Sequence, residues 1–433
     1  MSILISIAVA MVAGLLMTRV INLVKLPDVT AYLIAGILIG PYLLGRIGVP
    51  GLGFTTLAEV ENLNILSNLA LGFIAFAIGA EFMMPKLRSI GRQAVTVAVV
   101  QAVMAVLFVT AALTLAHFLF PDKLSLPAAV TLGAVASATA PAATLMVVRQ
   151  YKAKGAVTDI LLPVVALDDA VGLVCFAVAI GIAKALMGGA ADVIGIVVNP
   201  LLEIVCSVLL GALLGWLLTQ IEKLYHSNRN RMVLIISAVT LTVALSMLEI
   251  RIGAVTVSFS SLLVCMMLGT VFCNLCPMAE DLMEREDKWT SPLYCLFFVL
   301  SGAALQLDVF SDLVMVAVGV IYIVFRSLGK YFGSRWSARA AGCDERIVRY
   351  LGITLLPQAG VALGMSLTAA AQLGTDGGVI RSITLFSVLI YELIGPMLTK
   401  IALTKSGDIR PKSKEIENRR NTILAGLRKD DGK

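Results

Sequence analysis

The sequence predicts an all-α polytopic membrane protein of about thirteen transmembrane helices built as inverted repeats. Three observations carry this. Of 433 residues, 59% are hydrophobic and only 14% charged, against about 25% charged in soluble domains, and mean hydropathy is +0.93. Apolar runs of spanning length, roughly 17–25 residues each, recur from end to end. Two of those runs are interrupted by proline at corresponding places in the two halves.

Taken in order, the spans fall near residues 2–19, 29–45, 62–81, 93–119, 126–149, 157–184, 194–219, 231–248, 253–276, 290–306, 310–334, 347–372 and 378–400. The first lacks a basic leader and stays apolar to Thr18, so it reads as a retained span and not a cleaved signal. Basic residues collect in cytoplasmic loops. With an odd span number, one set of loops carries seventeen Lys and Arg, from Arg19 and Lys25 to Arg346 and Arg349, and the other carries five: Arg46, Lys123, Lys184, Arg251 and Arg381. The N-terminus is therefore expected outside and the C-terminus inside. The formal charge of +6 is a topology signal and gives no reason to expect a nucleic-acid partner. Residues 403–433 read as a basic cytoplasmic tail lying near anionic lipid.

The two interruptions are Ala136-Ser-Ala-Thr-Ala-Pro-Ala-Ala-Thr144 and Leu355-Leu-Pro-Gln-Ala-Gly-Val361. Proline removes a backbone donor, and Ser137, Thr139 and Thr144 can satisfy the groups it frees. One such segment is a kink. Two, in matching positions and each followed by one more long span, point to an inverted-repeat transporter with its site at the midplane.

Charge inside the spans locates that site. Asp168 and Asp169 lie in the run from Leu161 to Ile180, where a carboxylate costs roughly 2.5–3.5 kcal/mol on insertion scales. The pair must meet water, a counter-charge or a transported ion. Arg326 and Lys330 in the eleventh span are i and i+4, on one helical face, and either could neutralise Asp168. Lys330 could instead stretch to the interface, while Arg326 lies deeper in its run. Glu392 reads as a structural, partnered carboxylate. His117, His226 and the lone Cys273-Asn-Leu-Cys276 form no metal constellation, and no nucleophile and base are set together, so enzymatic function finds no support.

These residues carry a resemblance. Residues 1–402 resemble the membrane domain of the monovalent cation:proton antiporter-2 family, through Leu26-Pro-Asp-Val-Thr-Ala-Tyr-Leu-Ile-Ala-Gly-Ile-Leu-Ile-Gly-Pro41, the Ser137 to Thr144 break, Asp168-Asp169, Pro357-Gln-Ala-Gly-Val-Ala-Leu363 and Glu392-Leu-Ile-Gly-Pro396. The resemblance implies the sodium/proton antiporter fold, with two broken helices crossing beside the carboxylates, and a homodimer in the cell (inner) membrane. It implies a scaffold (about 1–90 and 194–306) and a core (about 93–185 and 310–402) that moves as an elevator. It makes Asp169 the cation and proton ligand and Asp168 its ion-paired partner. Some relatives carry an acid where this chain has Ala140, so one cation ligand is missing here.

The chemistry implied is exchange of H+ for a monovalent cation, Na+ first, with K+ and Li+ as alternatives, and no cofactor. Dehydration favours the neutral form of a carboxylate, and a site that holds either H+ or a cation, never both, gives exchange. Ser137, Thr139 and Gln358 offer the oxygens a hard cation takes. A guanidinium partner for Asp168 keeps its charge and predicts electroneutral exchange. An ammonium can release its proton and predicts two protons per cation. The depth of Arg326 favours the first. A sodium-coupled symporter of an organic anion and a cation channel are the rival readings on the same scaffold.

Overall fold

A computed structural model describes residues 3–409 apart from 24–25, 50, 81, 83, 188–192, 249, 253–254 and 306–312. The first half contains α1 (Ile3–Leu23), α2 (Asp28–Ile39), α3 (Leu57–Glu61), α4 (Asn64–Ala80), α5 (Met84–Leu119), α6 (Leu126–Val135), α7 (Pro141–Gln150) and α8 (Ala156–Leu186). It continues with α9 (Val193–Glu222), α10 (Asn228–Ser246), α11 (Ser261–Leu275), α12 (Ala279–Ala303), α13 (Leu313–Ala340), α14 (Glu345–Thr354), α15 (Gly360–Gln372) and α16 (Thr375–Ser406). Eight described helices are long and apolar enough to cross a membrane, and α4, α6, α11 and α15 are shorter apolar helices. The expected spans 126–149 and 347–372 are each a pair of half-helices, as the prolines demand.

Both breaks have local causes. Ser125 caps α6 by accepting from the Ala128 amide. The chain then leaves the helix after Val135, because Pro141 cannot donate and holds Ala140 extended at φ −91°, ψ 101°. Asp344 caps α14 through the Arg346 amide, and Pro357 ends it. Pro141 restarts its helix at the first position, where its missing donor costs nothing.

Three expectations are corrected. Two short segments placed in or between the eighth and ninth spans are strands, β1 (Ile250–Ile252) and β2 (Val255–Val257), which pair antiparallel in register Ile250 with Val257. The β-branched alternation there outweighs apolarity, and α11 starts only at Ser261. The helix that contains the tenth span begins at Ala279, ahead of the expected 290. Its charged first turns are helical because Asp281 pairs with Arg285 and Glu284 with Lys288, each i to i+4 and each at 2.9 Å. Finally, residues 403–409 are not loose tail. Helix α16 runs to Ser406, and Asp408 accepts from the Thr158 amide (2.7 Å) and hydroxyl (2.8 Å), fastening the segment after α16 to the first turn of α8. The tail residues 410–433 lie outside the described residues.

Packing divides the helices into two groups. Helices α5, α6, α7, α8, α13, α14, α15 and α16 pack on one another, and so do α1, α2, α4, α9, α10, α11 and α12. Small residues let the second group approach closely. At the crossing of α2 and α12, a Cβ on Gly36 would sit 2.0 Å from the Val299 carbonyl oxygen, and one on Gly302 would sit 2.2 Å from that of Leu33. Contacts between the groups run through α2 with α16 and α7, α4 with α7, and α8 with α9.

Candidate ion-binding site

The two breaks meet. The Ala140 amide donates to the Pro357 carbonyl at 2.8 Å, so the unwound segments of the two repeats cross in contact. Helices α8 and α13 run past this crossing and bring the charged residues to it.

Lys330, and not Arg326, is the partner of Asp168. Its Nζ lies 2.7 Å from Asp168 Oδ2, with both side chains wholly buried. The ammonium also donates to Thr139 Oγ1 at 2.9 Å and to the Ser137 carbonyl. Thr139 Oγ1 in turn donates to Asp168 Oδ2, and Gln101 Nε2 donates to Asp168 Oδ1. Asp168 is therefore satisfied on both oxygens.

Arg326 has a different task, which corrects the preference for it as the counter-charge. Its Nε donates to the Ala136 carbonyl (3.0 Å), Nη2 to that of Ala138 (2.6 Å) and Nη1 to that of Leu356 (2.7 Å). These carbonyls lie just past the C-terminal ends of α6 and α14. A helix C-terminus leaves acceptors unsatisfied and carries partial negative charge. One guanidinium fork serves both ends while lying 4.4 Å above the Tyr391 ring.

Asp169 differs from its neighbour in having nothing. It is 2% exposed, and neither carboxylate oxygen has a hydrogen-bond partner among the described residues. One turn further along α8, a Cβ on Gly172 would stand 3.1 Å from Ser137 Oγ, so this face of α8 looks onto the break.

The other expected oxygen donors are distributed differently. The Ser137 hydroxyl donates to the Ala134 carbonyl at 2.6 Å and keeps its lone pairs. Thr139 is held by Asp168 and Lys330. Gln358 uses both ends of its amide in the scaffold of the break. Its Nε2 donates to the Val135 carbonyl (3.0 Å) and to the Tyr322 hydroxyl (2.9 Å), and its Oε1 accepts from Ser387 (3.2 Å). Glu392, which the sequence reads as a structural or partnered carboxylate, has its Oε2 buried with no hydrogen-bond partner among the described residues. Sequence reasoning missed Gln101. The signal was present: it is the one strongly polar side chain in the run Val95-Thr-Val-Ala-Val-Val-Gln-Ala-Val-Met-Ala-Val-Leu-Phe-Val109.

Crossed half-helices, a neutralised buried pair and an adjacent unpartnered carboxylate define a multi-pass membrane protein of the inverted-repeat ion-transporter class. The chain belongs to the sodium/hydrogen exchanger family, whose transmembrane profile matches residues 7–405. It is 26% identical over 415 residues to the Na(+)/H(+) antiporter NhaS4 of Synechocystis, covering 92% of this chain and 96% of that protein. Its fold is similar to two structures of the sodium proton antiporter MjNhaP1 from Methanocaldococcus jannaschii. The structure at pH 8 superposes with a TM-score of 0.62 at 18% identity, covering 92% of this chain and 94% of that one. The second gives 0.67 at 16% identity, covering 94% and 96%.

Proposed function

We propose that this protein exchanges Na+ for H+ at Asp169 by alternating access. The observation that carries the reading is the contrast within one pair: Asp168 has every oxygen engaged, and Asp169, buried beside it, has none. A carboxylate so placed takes a proton or a cation, and it cannot hold both.

Asp168 and Lys330 supply the charge balance. The amine of lysine can give up its proton in a buried site, which arginine does not do. Arrival of the cation at Asp169 brings positive charge next to Lys330 and favours that release. Two protons then leave for each cation, and the exchange is electrogenic. Lys330 and Arg326, the buried basic residues of α13, are committed to Asp168 and to backbone carbonyls, which leaves neither to receive the carboxylate of an organic anion. This disfavours the symporter alternative.

The moving body is the group built from residues 93–185 and 310–402, sliding as an elevator against residues 1–90 and 194–306. The division of packing and the sparse contacts between the groups support this. The scaffold group holds the homodimer, through the early spans and residues 231–306, in the cell membrane with the basic loops and C-terminus cytoplasmic. Cross-links formed in high yield between residues beside Asp169 of two protomers would contradict that dimer. The exchange is tested by reconstituting the protein in liposomes with an imposed pH gradient. Addition of Na+ should dequench a pH-sensitive dye, with Li+ and K+ ranking the selectivity, and absence of any cation-dependent response would overturn the reading.

A further inference from the structure

A second carboxylate lies in the membrane that the exchange at Asp169 does not use. Glu392, in the middle of α16, is 4% exposed. Tyr391 beside it points at α13, where its hydroxyl meets the Ile323 carbonyl at 2.7 Å and Ser327 at 2.8 Å. Glu392, one position further round the helix, points elsewhere: into a cavity of about 450 Å3 between the two helix groups. The cavity is lined by α3, α4 and α12 on one side and by α15 and α16 on the other. Arg381, one of the five basic residues in the sparser set of loops, lines it. Glu61 and Arg381 are exposed at its mouth, and Glu392 is buried at its base.

Three features of the base are suited to a cation. Glu392 Oε2 is buried without a hydrogen-bond partner among the described residues, a state a membrane carboxylate keeps only where an ion, a proton or water reaches it. Asn68 and Ser301, both half-buried, add neutral oxygens to the facing wall. Gly360, the first residue of α15, also lines the cavity. The base therefore abuts the second break itself, and one turn beyond Glu392 a Cβ on Gly395 would stand 3.0 Å from Pro357.

We propose that Glu392 forms a second binding site for a monovalent cation, at the base of this cavity and distinct from Asp169. The choice of Na+ as ligand rests on the antiport reading above. The site holds a cation against the break before the ion reaches Asp169, and it serves only the face on which the cavity opens.

The test measures binding, so it does not depend on transport. Purified protein carrying Asp169→Asn is heated in NaCl, with choline chloride at equal ionic strength as the control. A saturable rise in unfolding temperature on the order of 2 °C is expected in Na+ alone. Adding Glu392→Gln to the Asp169→Asn protein should remove that rise, and Glu392→Asp in its place should keep it. No Na+-dependent rise in the Asp169→Asn protein would overturn the proposal, and so would a rise that survives Glu392→Gln. Failure of the Asp169 reading shows separately, as exchange that persists in the Asp169→Asn protein in liposomes.

Discussion

The contact between Lys330 and Asp168 makes a quantitative prediction about voltage. If two protons leave for each Na+, one net charge crosses the membrane per cycle, and a potential of 100 mV does about 2.3 kcal/mol of work on it. At about 1.4 kcal/mol per factor of ten, that work holds a Na+ gradient of roughly 50-fold at equal pH on both sides. The assay sets the potential with valinomycin and a potassium gradient in proteoliposomes and follows Na+ accumulation. The informative perturbation is Lys330→Arg. It keeps a cation within reach of Asp168 and avoids the roughly 3–5 kcal/mol lost when a buried pair is broken outright, but it removes the proton that can be released. The natural protein should accumulate Na+ under voltage alone, and Lys330→Arg should lose that response while retaining any exchange driven by pH. Absence of voltage-driven accumulation by the natural protein, with its pH-driven exchange intact, would refute the assignment of the second proton to Lys330. A full voltage response in Lys330→Arg would do the same.

Two further outcomes follow from contacts outside the exchange itself. Arg326→Leu removes the donors to Ala136, Ala138 and Leu356; at about 1–3 kcal/mol for each buried acceptor left unmet, little monodisperse protein should survive size-exclusion chromatography, and a natural unfolding temperature would show that the two half-helix ends need no counter-charge. Asp408→Ala removes the acceptor at the first turn of α8 and should cost about 1–2 kcal/mol, read as a lower unfolding temperature with faster amide exchange confined to residues near Thr158; unchanged exchange there would show that the fastening is idle.

Much of the site could be read from the chain, because its parts announce themselves locally. A doubled aspartate in hydrocarbon and two prolines in matching runs need no partner to be conspicuous. The choice between Arg326 and Lys330 was not local. Both lie on one face of α13, and depth in the run favoured Arg326. What decides it is where the carbonyls freed at Ala136, Ala138 and Leu356 end up, and those belong to two other elements. The surroundings of Gln358 are hidden for the same reason: only the fold reveals that Tyr322, Ser387 and the Val135 carbonyl hydrogen-bond its amide. The gap that Glu392 lines is hidden in the sequence too, since the helices that make it lie more than 300 residues apart in the chain. The helix boundaries failed where hydropathy and helicity part company. The charged first turns of α12 are helical through their ion pairs, and Ile250–Ile252 pairs with Val255–Val257 as strands.

The most direct test of the assignment of exchange to Asp169 is Asp169→Asn, measured by cation-dependent dequenching in proteoliposomes. The amide keeps the shape of the side chain but can neither carry charge nor release the exchanged proton. The substituted protein should purify as the natural one does and show no response to Na+, Li+ or K+. Exchange by Asp169→Asn at the natural rate would contradict the assignment.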